Sequence, residues 1–177
     1  MVELGIKGCA RLIIAMCALV LCCSLSLAQD YSTLIRNAQT ERAYQKLVHA
    51  QVFTFGGVGF GSMITPEEKA FHALVDAGNP AAGFKRLLYE ANSEGQMYAL
   101  YGLYLEDPDA FKKEAARLQT DECPPSHWEG FLFVEKGQVR TAHGCVFGQQ
   151  SKQSVIAGIR NGDFDRAFKS SSPRLTY

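Results

Sequence analysis

The sequence predicts a mainly helical fold: short antiparallel helices in a helical-hairpin array around a buried central helix, with a small C-terminal β-hairpin. Three observations lead there. Met97–Leu105 (Met-Tyr-Ala-Leu-Tyr-Gly-Leu-Tyr-Leu) carries no charged side chain on any face, and a helix apolar all round sits inside a bundle. Cap-and-proline pairs recur at Thr65-Pro66, Asn79-Pro80 and Asp107-Pro108, each a helix-start signal. The links between those starts are short, which makes sequential helices antiparallel neighbours. Their spacing is uneven and their apolar stripes differ, so this is not a true repeat.

Residues 1–28 have the layout of a secretory signal peptide. Lys7 and Arg11 precede the apolar run Leu12–Leu21, and Ser26 and Ala28 place small residues before an expected cleavage after Ala28. An uncleaved anchor is the alternative, because the uncharged run approaches spanning length; the polar Gln29-Asp30 favours cleavage. A lipid-anchored cysteine is disfavoured by the residues ahead of Cys17, Cys22 and Cys23. A mature chain of about 149 residues suffices for one domain with a real core. The boundaries expected are 1–28 signal peptide, 29–169 helical domain and 170–177 flexible tail.

The signal removes Glu3, Lys7 and Arg11, leaving a net charge of about −1. Balanced charge argues against nucleic acid and anionic membranes as partners. Only Cys123 and Cys145 remain in what would be an oxidising compartment, so a disulfide between them is expected. Closing that loop would stabilise by roughly 3 kcal/mol in the chain-entropy description.

Asp30–Val48 reads as the first helix, with Leu34, Ile35, Ala38, Ala43, Leu47 and Val48 inward; Thr40 leaves open whether it is one helix or two. Val52–Met63 intersperses six apolar side chains with Gly56, Gly57, Gly59 and Gly61. That glycine content excludes a stable helix. It predicts a loop or an extended piece across the bundle, with Val58 and Phe60 as plugs. From Thr65, two glutamates in the first turn suit the helix dipole, and Glu68 completes a capping box. Phe71, Leu74 and Val75 form its stripe and Gly78 its end. Phe84, Leu87, Leu88 and Ala91 carry the next stripe; Asn92-Ser93 breaks the run before the central helix. Ala99 and Gly102 leave a low spot there for a neighbouring helix. Phe111, Ala115 and Leu118 are the buried face after Asp107-Pro108. Past Pro124-Pro125, Phe131–Val134 and Val139–Phe147 around Lys136-Gly137 read as a hairpin. Ser151–Ile159 gives a last helix, with Val155, Ile156 and Ile159 inward and Asn161-Gly162 as its stop.

Chemistry is sparse. The glycines lack the third-glycine spacing of a dinucleotide fingerprint and the Lys-Ser/Thr of a phosphate loop. His143-Gly144-Cys145 would suit a thiol nucleophile only if Cys145 were free of Cys123. His49, His72, His127 and His143 show no metal-ligand spacing. Glu68 and His72, one turn apart, read as a solvated pair. The Asp107/Asp109 and Asp121/Glu122 pairs read as loop or cap residues, and Asp163 and Asp165 bracket Phe164, with no sign in the spacing that any pair meets across a cleft. Tyr89, Tyr98, Tyr101 and Tyr104 offer either a recognition face or core-edge tyrosines. Trp128 offers either a partner anchor or cover for the hairpin.

The candidate binding surface is therefore Phe53, Phe55, Gly57, Val58, Gly59, Phe60, Tyr101 and Trp128, with no catalytic residue, metal or cofactor assigned. The function expected is an exported, non-catalytic interaction module, inhibitor- or immunity-like, whose partner is another exported protein. A small-ligand binder lidded by residues 53–63 is the alternative, and an envelope hydrolase using His72, His143 or the carboxylates the third.

Overall fold

A computed structural model describes residues 37–120 and 137–171. The chain divides into two compact units, Met1–Gln39 and Thr40–Tyr177; of the first, only residues 37–39 are described, and they are helical. The expected signal peptide, Leu34, Ile35, Cys123, His127, Trp128, the strand at Phe131–Val134 and residues 172–177 lie outside the described residues.

The helices are α1 (residues 37–48), α2 (Pro66–Val75), α3 (Pro80–Glu90), α4 (Ser93–Glu106), α5 (Pro108–Thr120), α6 (Lys152–Asn161) and α7 (Asp165–Ser171). Strands β1 (Gln138–His143) and β2 (Val146–Ser151) lie between α5 and α6 and pair antiparallel. The mainly helical fold with a small C-terminal hairpin is the one expected. α1 runs unbroken through Thr40, and Ala38 is exposed rather than inward.

α4 is the axis. Met97, Tyr98, Ala99, Leu100, Tyr101 and Leu103 are wholly buried, and the helix packs against α2, α3, α5, α6 and β1. Asn92 starts it: its Oδ1 accepts the Gly95 N–H at 3.0 Å and its Nδ2 donates to the Ala50 carbonyl at 2.7 Å. One side chain thus caps α4 and fixes the chain leaving α1. The low spot is used. A Cβ at Gly102 would lie 2.5 Å from atoms of the Phe84 ring, so α3 approaches α4 where no side chain intervenes.

The caps of α2 and α3 form as expected, with Thr65 Oγ1 accepting the Glu68 N–H and Asn79 Oδ1 accepting the Ala82 N–H. Two local readings change. α2 ends at Val75, where the Asp76 N–H closes on the His72 carbonyl at 3.0 Å, so the helix stops before Gly78. The expected strand Val139–Phe147 is instead folded back on itself at Gly144-Cys145, where His143 pairs with Val146 and, further along, Gln138 with Ser151; the turn expected at Lys136-Gly137 rests on residues outside the described ones. Gly144 has φ +56°, the positive value that a two-residue hairpin demands at its first linking position.

Ser151 caps α6, Val155, Ile156 and Ile159 are fully buried, and Gly162 ends the helix at φ +75°. The short α7 has no counterpart in the sequence reading. It includes Ser170 and Ser171, which the sequence places in a tail, and it rests Ala167 and Phe168 on the core, beside Phe164 just ahead of it.

Replacing Gly102 by Ala should lower stability by about 1–3 kcal/mol through overpacking against Phe84, despite alanine's better helix propensity. Gly78→Ala, with open space around the new methyl, should change stability by less than about 0.5 kcal/mol. Urea denaturation of the two variants checks both.

Candidate functional site

The glycine-rich segment takes two roles along its length. Its first part, Phe53-Thr54-Phe55, runs extended through the interior, and all three residues are buried. The Phe53 ring lies edge-on to Tyr98 (4.9 Å between centroids) and Phe164 (5.0 Å); Phe55 meets Tyr101 (4.6 Å) and Phe71 (5.2 Å). Aromatic pairs favour such edge-on and offset geometries. Backbone polar groups inside a core need partners. The Tyr98 hydroxyl accepts the Thr54 N–H at 3.2 Å and donates to the Thr54 carbonyl at 2.9 Å. Thr54 Oγ1 donates to the Ala142 carbonyl at 2.7 Å, and the Phe53 N–H donates to the Arg140 carbonyl at 2.8 Å. Burial pushes the Tyr98 phenol far above its ordinary pKa, so it stays protonated and can donate.

The second part turns outward. Val58 and Met63 exchange backbone hydrogen bonds of 3.0 and 3.1 Å, and the Ser62 N–H closes on the Gly59 carbonyl at 3.1 Å. Gly59 (φ +74°) and Ser62 (φ +45°) supply the reversal. The Gly59 N–H also donates to the Gly144 carbonyl at 2.9 Å, which joins this turn to the hairpin turn. Two reversals therefore share one apex. Phe60 stands fully exposed on it, with Met63 at 71% and Val146 at 71% exposure; Phe147, next along β2, is at 69%.

The candidate surface is thus split by the fold. Phe53 and Phe55 are the plugs, and Tyr101 is core, its hydroxyl donating to Asp165 at 3.1 Å. Phe60 plugs nothing, because the Gly59 turn aims it at solvent. Gly57, Val58 and Gly59 are half-buried at the base of the apex. Tyr89 is exposed and Tyr98 buried, so the tyrosines form no continuous face. Trp128 lies outside the described residues, as does Cys123; Cys145 is exposed on the hairpin turn. Sequence reasoning missed Met63, Val146 and Phe147 as surface groups. The signal for the last two was present: Val-Phe-Gly-Gln-Gln-Ser does not alternate apolar with polar as a half-buried strand does.

Below the apex lies a polar cluster. Glu68 Oε1 accepts the Gly56 N–H at 2.9 Å and the Ser171 hydroxyl at 2.5 Å, and His72 Nε2 is 3.3 Å from the Ser171 hydroxyl oxygen. The His72 ring stacks on Phe168 at 4.9 Å. Glu68 is fully buried and His72 nearly so, so this is no solvated pair. Nor does Glu68 reach back to complete the capping box; its carboxylate is engaged by Gly56 and Ser171. Acyl-transfer catalysis places the histidine between serine and acid. Here the serine hydroxyl is aimed at the acid, and the acid has no exposure. The geometry ties α2, α7 and the glycine segment together.

A depression of about 220 Å³, lined among others by His143, Gln150, Ser154, Asp163 and Phe164, lies between the hairpin and α6–α7. Pockets that enclose small ligands run to about 300–1,000 Å³. The described residues contain no group of three or more His, Cys, Asp or Glu able to hold a metal ion, and no helix long and apolar enough to cross a membrane. Comparison with protein-family models, curated proteins and solved structures gave no match.

Burial raises the pKa of the Glu68 carboxyl above its ordinary value, against the lowering effect of its hydrogen bonds from Gly56 and Ser171, and its Oε2 has no hydrogen-bond partner. The folded state therefore binds this proton more tightly than the unfolded chain. Glu68 contributes most below its unfolded pKa, and the contribution is lost as pH rises through the folded value. Denaturation midpoints across pH 4–8 should show a fall in stability that Glu68→Gln removes; an identical profile for the two proteins would refute the assignment.

Proposed function

We propose that this protein is an exported, non-catalytic interaction module that engages another exported protein through the apex of the glycine-segment turn and the hairpin turn. The observation that carries the reading is Phe60. A fully exposed phenylalanine, held on a turn hydrogen-bonded on both sides, has no role in packing its own fold. Met63 and Val146 extend the apolar character of the apex, and contiguous exposed apolar patches mark interaction sites. Aromatic and methionine side chains are enriched at protein interfaces. The apex is also preorganised, since the Phe53–Phe55 anchor and the Gly59–Gly144 hydrogen bond fix it before any partner arrives, which lowers the ordering cost of binding.

Export rests on the signal-peptide layout of residues 1–28. A Cys123–Cys145 bridge belongs to the same reading: Cys145 sits in the open on the hairpin turn, where a bridge would brace the apex. An inhibitor or immunity-type role is the form of interaction that best suits a small, rigid module whose described residues assemble no catalytic constellation.

The test is capture. The mature chain, immobilised and challenged with exported proteins from its own source, should retain a partner that Phe60→Ser/Met63→Ser releases at least tenfold more readily. Tyr89→Ser, which removes an exposed aromatic far from either turn in sequence, should leave retention unchanged. Retention indifferent to the apex substitutions would refute the proposal.

A further inference from the structure

The two edges of the hairpin are treated differently. β1's outer edge is covered: the Arg140 N–H donates to Glu94 Oε1 at 3.1 Å, its carbonyl accepts the Phe53 N–H, and the Ala142 carbonyl accepts Thr54 Oγ1. Because Arg140 directs both backbone groups away from β2, its pair with Gln149 is one that exchanges no hydrogen bonds; the Ala142–Phe147 pair, two residues along, is another. Phe147 and Gln149 accordingly turn their own N–H and C=O groups away from β1, toward the outer edge of β2. Among the described residues nothing pairs with that edge, and Val146 to Gln150 are all exposed.

Exposed sheet edges are ordinarily blunted by lysine, proline, a bulge or a covering segment. β2 reads Val-Phe-Gly-Gln-Gln-Ser and pairs in unbroken register from Val146 to Ser151. It has no charge, no proline and no bulge. We propose that the open edge of β2 takes the same edge of a second copy of this chain, antiparallel across a two-fold axis at Gly148, giving a four-stranded sheet across the dimer.

The sequence of the strand is what selects a second copy. In an isologous contact each group meets its own kind or its symmetry mate, so a charged edge would repel itself; this one is neutral throughout. Centring the axis on Gly148 sets Phe147 opposite Gln149 of the second copy and the reverse, which engages the four outward N–H and C=O groups of each strand. Gly148 meets Gly148 on the axis, in a pair that exchanges no hydrogen bonds. Phe147 loses its exposure against the second strand. The inference is separable from the apex reading, because its tests fall on Phe147 and Gln149 and those of the apex on Phe60 and Met63.

Sedimentation of the mature chain from micromolar to near-millimolar concentration tests it. The expected result is a reversible dimer in which amide exchange at Phe147 and Gln149 slows as concentration rises. Gln149→Pro deletes an N–H that β1 does not use, and Phe147→Lys places like charges along the edge. Each should weaken dimerisation at least tenfold with the far-ultraviolet circular dichroism unchanged, whereas Gln150→Ala should not. Four results would overturn the proposal: a monomer at every concentration, a dimer indifferent to both substitutions, a dimer that reduction dissolves, or concentration-dependent protection confined to another part of the chain.

Discussion

One phenolic oxygen permits the rest of this architecture. An extended chain segment cannot cross a protein interior with its amide groups unmet, because each buried, unpaired group costs about 1–3 kcal/mol. Tyr98 projects from the most buried helix and its hydroxyl answers both backbone groups of Thr54 at once. With Thr54 satisfied, Phe53 and Phe55 can enter the core on either side of it. The glycine-rich segment is then anchored at one end and free to turn outward at the other.

The surface features derive from that anchor. Phe53 bonds to β1 through its amide, Thr54 through its hydroxyl, so the segment covers the inner flank of the hairpin and leaves the outer one open. Gly59 bonds to Gly144 and brings the two turns together. On the opposite flank, Glu68 holds the Gly56 amide and the Ser171 hydroxyl, which ties α7 to α2 and closes the aromatic cluster over Phe55 with Phe168 (5.8 Å between centroids). A buried carboxyl with one oxygen unpaired is a costly element for a small fold. It is tolerated here because that single side chain joins three parts of the chain distant in sequence.

Much of the helical scaffold was legible in the sequence, because helix signals are local. Thr65 and Asn79 cap where the sequence places them, and Phe84, Leu87, Phe111, Ala115, Val155 and Ile159 bury at helical spacing. The absence of charge in Met97–Leu105 was enough to identify α4 as the interior helix. What failed was long-range. Phe53, Phe55 and Phe60 have the same residue type and similar glycine-rich neighbours; only the tertiary partner Tyr98 separates the two that bury from the one that does not. The hairpin is recognisable in the sequence but the turn at Gly144-Cys145 is not, since Val139–Phe147 reads as one strand and only the pairing register shows where it folds back. α7 is short, and its helical state depends on contacts with Phe71, His72 and Glu68 that no local pattern encodes.

The path of the glycine-rich segment depends on the double hydrogen bond between the Tyr98 hydroxyl and Thr54, and the free energy of unfolding of Tyr98→Phe measures that bond with no other change of shape. Loss of the hydroxyl leaves two buried backbone groups unmet and should lower stability by about 2 kcal/mol or more. A variant within about 0.5 kcal/mol of the parent protein, the range of an ordinary surface substitution, would contradict it and remove the reason for the segment's route through the core.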